Sequence, residues 1–165
     1  MTRQFLTLNQ DYAGDRMKGE RDYQEDYFSF DNSRADDFLM ILADGMGGYE
    51  GGAVASCCAV KTFMDTYGLA KGSVAERLQQ ALQQANDQLA LEKRTKPKLA
   101  NMGCTLVGVA IRDNQLEWIS VGDSPLWRYQ KRRLHRLNAD HSMKPILQKQ
   151  IQRGELTPKI AAIHP

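Results

Sequence analysis

The residues with the clearest chemical potential lie in an acidic, glycine-rich stretch in the first third of the chain. The apolar run Phe38–Ala43 has the length and flanks of a buried strand, and it ends on Asp44. Four glycines stand within residues 45–51, so the backbone can bend sharply where the carboxylate is presented. A carboxylate surrounded by backbone carbonyl groups suits a hard divalent cation better than a bare phosphate.

An ordinary turn and two kinds of phosphate-binding loop are the alternatives to a cation site in this stretch. An Asp-Gly pair commonly marks a turn, in which Asp44 would hydrogen-bond only its own loop. A Walker A loop ends in Gly-Lys-Ser/Thr, whereas no lysine occurs between Phe38 and Ala59. The dinucleotide-binding fingerprint needs a third glycine where Glu50 stands. The turn and the cation site therefore remain as alternatives.

A second group of charged residues precedes a possible strand, Tyr27–Phe30. Arg21 lies four residues before the carboxylate pair Glu25 and Asp26. Charged runs of this kind usually form solvated loops, and the segment taken alone favours that interpretation.

The composition indicates one globular domain and argues against several classes of function. A chain of 165 residues with 42% hydrophobic and 25% charged residues can bury a real core. The net charge of +2 gives no bulk reason for nucleic-acid or membrane binding, and no apolar run approaches the roughly 18 residues of a membrane span. The first ten residues lack a signal-peptide pattern, and three cysteines without zinc spacing predict reduced thiols in a cytoplasmic protein.

Hydrophobic periodicity predicts two amphipathic helices that cover a sheet. The first runs from about Gly52 to Tyr67, and the second begins at a capping box formed by Ser73 and Glu76 and reaches about Leu91. The apolar stripe expected on the first helix comprises Val54, Cys57, Val60, Met64 and Tyr67. The stripe expected on the second helix comprises Val74, Leu78, Ala81, Leu82, Ala85 and Leu89.

The second half of the chain changes to a period of two, which predicts an antiparallel meander. The expected strands are Thr105–Ile111, with both faces buried, then Leu116–Val121, Leu126–Tyr129 and Arg133–Leu137. Asp113-Asn114 is a two-residue turn signal, and the basic cluster Lys131-Arg132-Arg133 is most simply a solvated hairpin turn. A helix is predicted over Pro145–Arg153, and Thr157-Pro158 would begin another.

Several motifs now stand in one order along the chain. They are Arg21-x-x-x-Glu25-Asp26, Asp44-Gly45-Met46-Gly47-Gly48, Gly103-x-Thr105, Gly122-Asp123-Ser124 and Asn138-Ala139-Asp140-His141-Ser142. Each motif is weak alone, but the ordered series resembles the bacterial branch of the PPM-type (type 2C) metal-dependent Ser/Thr protein phosphatases. The resemblance covers almost the whole chain.

The resemblance implies an α+β fold, a four-layer α-β-β-α sandwich of two antiparallel sheets flanked by helices. It also implies a centre with two Mn²⁺ or Mg²⁺ ions. By matching position, Asp44 would bridge both ions, the Gly45 carbonyl and Glu25 would bind one of them, and Asp26 would hold metal-bound waters. Arg21 would contact the substrate phosphate.

The implied reaction is hydrolysis of phosphoserine or phosphothreonine in proteins by a metal-activated water. Two hard cations lower the pKa of water and stabilise the attacking and leaving oxygens, while an arginine fork matches a phosphate. The partners implied are phosphorylated proteins, with an opposing Ser/Thr kinase, and neither nucleic acid nor membrane. Asp123 matches the carboxylate that some bacterial members use for a third metal.

The chain departs from the family pattern in two places. Pro125 stands where the family has an arginine after Gly-Asp-Ser, which puts the third-metal role of Asp123 in doubt. The expected single domain, residues 1–165, also stops within the flap region at about 143–165, so further aspartates of the second metal site are missing. We therefore expect the isolated chain to be inactive, and a non-catalytic PPM-like binding or regulatory module remains the alternative function.

Overall fold

The computed structural model describes residues 6–20, 22–34, 37–48 and 50–154. In these residues the elements are β1 Asp26–Arg34, β2 Asp37–Met46, α1 Gly51–Leu69, α2 Val74–Thr95, a 3₁₀ turn Pro97–Leu99, β3 Gly103–Cys104, β4 Leu106–Arg112, β5 Gln115–Val121, β6 Trp127–Gln130, β7 Arg133–Arg136 and α3 Lys144–Gln152. The second predicted C-terminal helix, at Thr157-Pro158, lies outside the described residues.

The chain divides into two compact units, Met1–Ser120 and Val121–Pro165. The first unit holds a sheet in the order β1-β2-β4-β5, with β3 beside β2. Strand β2 is longer than the apolar run predicted, because Gly45 and Met46 pair with Cys104 and Gly103. Asp44 therefore lies within a strand and not at its end.

The second unit corrects the prediction of one continuous meander. Among the described residues, β6 and β7 form a two-stranded antiparallel sheet of their own. The segment before β6 explains the break, since Gly122 has a φ of 93° and Pro125 has no backbone N–H for a ladder. Helix α3 follows and ends before Gly154, whose φ is 72°.

Helices α1 and α2 supply the core of the first unit. The core joins Leu39, Ile41 and Ala43 of β2 to side chains of both helices and of β4. The predicted face of α2 is confirmed, and its capping box at Ser73 is present. Strand β4 is buried along Leu106–Ala110, which agrees with the prediction that both faces of this strand are covered. No helix in the described ranges combines the length and apolar character needed to cross a membrane.

The apolar stripe predicted for α1 is partly wrong. Val60 and Tyr67 are buried, but Val54 is 37% exposed, and the face turned to the sheet is built largely from small residues. Those buried residues are Gly51, Gly52, Ala55, Ser56, Ala59, Val60, Phe63 and Tyr67. Small side chains let the helix axis approach the sheet closely. This close packing, and not the burial of Val54, decides which face of α1 is turned to the sheet.

A buried ion pair links the start of β2 to both helices. Nη1 of Arg77 lies 2.5 Å from Oδ2 of Asp37, and both side chains are at most 4% exposed. The Tyr67 hydroxyl donates to Oδ1 of Asp37 at 2.8 Å, and Arg77 donates to the Tyr67 carbonyl through Nε and Nη2. The guanidinium also lies 3.9 Å from the centre of the Tyr67 ring. Burial, followed by the bond to Asp37, raises the pKa of Tyr67, so its hydroxyl stays a donor.

We expect substitutions at this pair to be strongly non-additive. Arg77→Leu should lower the free energy of unfolding by about 3–5 kcal/mol, because it leaves the Asp37 carboxylate buried without its cation. Adding Asp37→Asn should recover part of that loss. Urea unfolding of the two single variants and the double variant measures the coupling. If Arg77→Leu does not fold, Tyr67→Phe still tests the network at a cost of about 1 kcal/mol; additive effects would contradict the coupling.

Candidate metal centre

Asp26 and Asp44 face each other across the first two strands. Their Cα atoms are register partners in the antiparallel β1–β2 pair, so both side chains project to the same face. Asp44 is exposed, and Asp26 is half-buried. Directly opposed residues have Cβ atoms about 4.5–5.5 Å apart, and like charges in such pairs are destabilising. A cation bound by Asp44, with Asp26 reaching it through water, would offset that repulsion.

The backbone of Asp44 is fixed by Thr105. The Asp44 N–H donates to Oγ1 of Thr105 at 3.1 Å, and the Thr105 N–H donates to the Asp44 carbonyl at 2.8 Å. Thr105 belongs to the Gly103-x-Thr105 motif, so this motif and the Asp44 motif meet in the first unit. The sequence analysis recognised both motifs by their order but predicted no contact for Thr105.

The third carboxylate, Glu25, is buried with only 8% of its surface exposed. Its carbonyl accepts from the Gly45 N–H at 3.2 Å and from Oγ of Ser56 at 2.5 Å. Its side chain lies against Gly52, where an added Cβ would overlap Oε1 of Glu25. Glu25 is thereby held between β2 and the first turn of α1.

Two glycines make this junction possible through close approach. A Cβ at Gly45 would overlap the Gly52 carbonyl and would lie 2.7 Å from the Glu25 carbonyl oxygen. Gly47, by contrast, is needed for its backbone conformation, with a φ of 129°. Sequence reasoning allowed both sharp bending and close approach at the loop glycines, but it gave no contact to Ser56 or Gly52. The available signal was a Gly-Gly pair opening a helix, where glycine is otherwise unfavourable.

The donors at this corner are hard oxygen atoms and not sulfur. The three cysteines are free and half-buried. Burial raises the pKa of the Cys104 thiol to about 11, and the neighbouring Cys58 and Asp44 groups add to the rise. Asp44, Glu25 and the Gly45 carbonyl are hard oxygen donors, the ligand type that Mn²⁺ and Mg²⁺ prefer.

The geometry also limits what this corner can bind. Within the described ranges, no group of three or more His, Cys, Asp or Glu side chains is placed to hold a metal ion. An ion here would therefore draw on two carboxylates and backbone oxygen and would keep much of its water. Arg21, the predicted phosphate contact, lies outside the described residues.

Asp123 belongs to the second unit, where its loop is braced despite Pro125. Nη2 of Arg136 donates to the Asp123 carbonyl at 3.0 Å, and Nδ2 of Asn138 donates to the Ser124 carbonyl at 2.9 Å. Oδ1 of Asn138 accepts from the Leu126 N–H at 2.8 Å. Two polar side chains from beyond β6 therefore fix the loop backbone.

We expect Gly52→Ala and Gly68→Ala to have opposite effects on stability. An added methyl at Gly52 meets the Glu25 carboxylate and should destabilise the fold by about 1–3 kcal/mol. Gly68 lies in the last turn of the same helix with no atom within 4 Å of an added Cβ, so alanine there should stabilise by up to about 1 kcal/mol. Urea unfolding followed by circular dichroism measures both; equal stability of the two variants would contradict the packing described.

Comparison with known proteins places the chain in a family. Residues 13–145 match the family Protein phosphatase 2C, and the chain belongs to that family. The serine/threonine phosphatase stp of Listeria monocytogenes is 30% identical over 150 residues, which are 88% of this chain and 58% of that protein. The predicted resemblance to bacterial PPM-type phosphatases is thus confirmed.

Solved structures support the same conclusion for the fold. The Mycobacterium tuberculosis serine/threonine phosphatase PstP is 28% identical with a TM-score of 0.67, over 88% of this chain and 59% of that one. A second PstP structure, the catalytic domain in complex with two manganese ions, is 27% identical with a TM-score of 0.67, over 86% and 58%. The predicted α+β sandwich class is confirmed. The chain spans less than two thirds of the length of these relatives.

Proposed function

We propose that this chain forms part of a metal-dependent protein-serine/threonine phosphatase and supplies one of its metal positions. The observation that carries the proposal is the acidic junction of β1, β2 and α1. There Asp26 opposes Asp44 in register, and Glu25 is locked against the first turn of α1. Membership of the Protein phosphatase 2C family supports the same reaction.

Each acidic residue has a distinct role in the proposal. Asp44, exposed and fixed through its backbone, would bridge two cations, while Glu25 and the Gly45 carbonyl would bind one of them. Asp26 would act through water from the neighbouring strand. Asp123 would bind a third, weaker ion.

Bound divalent cations supply Lewis acidity, which acidifies water and neutralises phosphate charge. The chain itself holds the acidic groups in position. Glu25 brings a buried negative charge to the junction, and its carbonyl bonds to Gly45 and Ser56 keep that charge in place. Arg21 would hold the phosphate through its planar fork, which lysine cannot reproduce.

The proposal extends to setting and partners. The substrates would be phosphorylated Ser/Thr proteins, and a Ser/Thr kinase would oppose the enzyme in a cytoplasmic bacterial signalling system. Mn²⁺ or Mg²⁺ would serve, and no nucleic acid or membrane takes part. The 165 residues would form one domain with the flap region at about 143–165, and the second metal site would need ligands from outside them.

We expect Asp44→Asn to abolish turnover by the gene product that contains these residues. The substitution keeps the shape and removes the bridging charge, so Mn²⁺-dependent phosphate release from a phosphothreonine peptide should fall by at least roughly 10³-fold, or about 4 kcal/mol of barrier. Asp65→Asn, which removes an exposed carboxylate from α1, is the matched control and should retain activity. Turnover of Asp44→Asn within a factor of ten of wild type would reject the metal assignment.

A non-catalytic binding or regulatory module is the alternative function. It is favoured by one observation, that the described residues hold no cluster of three metal-binding side chains. Such a module would bind Mn²⁺ or a phosphopeptide without turnover. The same assay separates the two functions, because metal-dependent phosphate release by the gene product excludes the module.

A further inference from the structure

The β6–β7 hairpin concentrates positive charge and contains no carboxylate of its own. Residues 126–137 contain five of the 22 Lys and Arg residues of the chain and no Asp or Glu. Because the whole chain has a net charge of +2, the remainder carries −3. The positive charge is therefore local and not a general property of the protein.

The strand register divides the hairpin into two different faces. Arg128 is paired with His135, and Gln130 is paired with Arg133, so these four side chains share one face. The opposite face carries the pairs Trp127–Arg136 and Tyr129–Leu134. Every residue of both strands is exposed. We call the face of Arg128, Gln130, Arg133 and His135, with the turn residue Lys131, the basic face.

The turn that closes the hairpin has an unfavourable sequence for its conformation. Lys131 and Arg132 have φ values of 51° and 62°, in the left-handed region where Asn and Gly are preferred. The Asp113-Asn114 turn adopts the same region with a favoured residue type. Two long basic side chains therefore stand where the backbone alone would select small or amide residues.

One arginine of the hairpin, Arg136, interacts with other groups of the second unit, whereas the arginines of the basic face form no ion pair with its described residues. Arg136 lies on the opposite face, 3.8 Å from Asp140, and it also braces the Asp123 carbonyl. Among the described residues, no ion pair joins Arg128, Lys131 or Arg133 to a carboxylate. A depression of about 380 Å³ is lined by Gln130, Lys131, Arg133 and His135.

We propose that the basic face binds an acidic segment of the phosphoprotein substrate. This inference rests on the proposed function, since it assigns a substrate-docking role. Strands of four residues span about 13 Å, which matches an extended acidic stretch of about four residues. Nucleic acid or an anionic membrane would cover much more than one hairpin and would meet a remainder of the chain that is net negative. The short length of the basic face therefore favours an acidic peptide over nucleic acid or a membrane as its ligand.

The experiment measures peptide binding to the 165-residue chain without turnover. A fluorescent phosphothreonine peptide preceded by four Glu residues is titrated in EDTA, beside the same peptide with four Gln residues. We expect the Glu peptide to bind at least roughly fivefold more tightly, because several exposed ion pairs add modestly. The preference should vanish at about 1 M salt, where the Debye length is about 3 Å.

Paired substitutions test whether the basic face is the surface that binds the peptide. Arg128→Gln with Arg133→Gln should remove the preference for the Glu peptide, whereas Arg128→Lys with Arg133→Lys should keep most of it. Lys93→Gln with Arg94→Gln removes two exposed charges from the end of α2 and should leave the preference unchanged. A thermal melt of each variant checks folding, and the lysine pair preserves the test if the glutamine pair does not fold.

Three outcomes would overturn the proposal. They are equal binding of the two peptides, a preference that survives in the glutamine pair, and tighter binding of duplex DNA or phosphatidylserine vesicles than of the Glu peptide through this face. Failure of the proposed function is recognised separately. A gene product that binds the Glu peptide through the basic face but releases no phosphate has a docking face and is not a phosphatase.

Discussion

The structure of the first unit depends on one steric constraint, the absence of side chains at Gly45 and Gly52. At this point β2 and the first turn of α1 approach so closely that a methyl group on either glycine would overlap its neighbours. The approach fixes Glu25, whose carbonyl accepts two hydrogen bonds and whose carboxylate lies against Gly52. It also explains why the sheet-facing side of α1 begins with Gly, Ala and Ser residues, since larger residues would hold the helix away from the sheet.

Electrostatics act in the opposite sense to packing at this junction. Asp26 and Asp44 oppose each other in register, an arrangement in which like charges repel, and the neighbouring Glu25 is buried. The basic hairpin carries the opposite charge. Arg128, Lys131 and Arg133 form no ion pair with a carboxylate of the described residues. Its turn residues Lys131 and Arg132 also adopt a left-handed backbone conformation that their residue types do not favour. A cation at the acidic junction and an acidic peptide at the basic face, as proposed, would each offset this local cost.

Much of the fold of the first unit could be predicted from the sequence, because the signals were local, whereas the roles of the candidate site residues stay predictions. The apolar run Phe38–Ala43 of β2 and the cap at Ser73 follow from neighbouring residues, although β2 continues through Asp44 to Met46. The burial of Arg77 could not be predicted, because its partner Asp37 lies 40 residues away. The same applies to Ser56, whose bond to Glu25 requires the tertiary approach of helix and strand. The separate β6–β7 sheet was missed, since alternation predicts strands but not which of them pair.

The central claim is that Asp44 and Glu25 together hold a divalent cation, and Mn²⁺ binding to the purified chain tests it most directly. Electron paramagnetic resonance of free Mn²⁺ gives the affinity without any need for catalysis. We expect weak binding by the wild-type chain, weakened at least roughly tenfold by Asp44→Asn and by Glu25→Gln and unchanged by Asp65→Asn. Mn²⁺ affinity that is the same in all four proteins would contradict the claim.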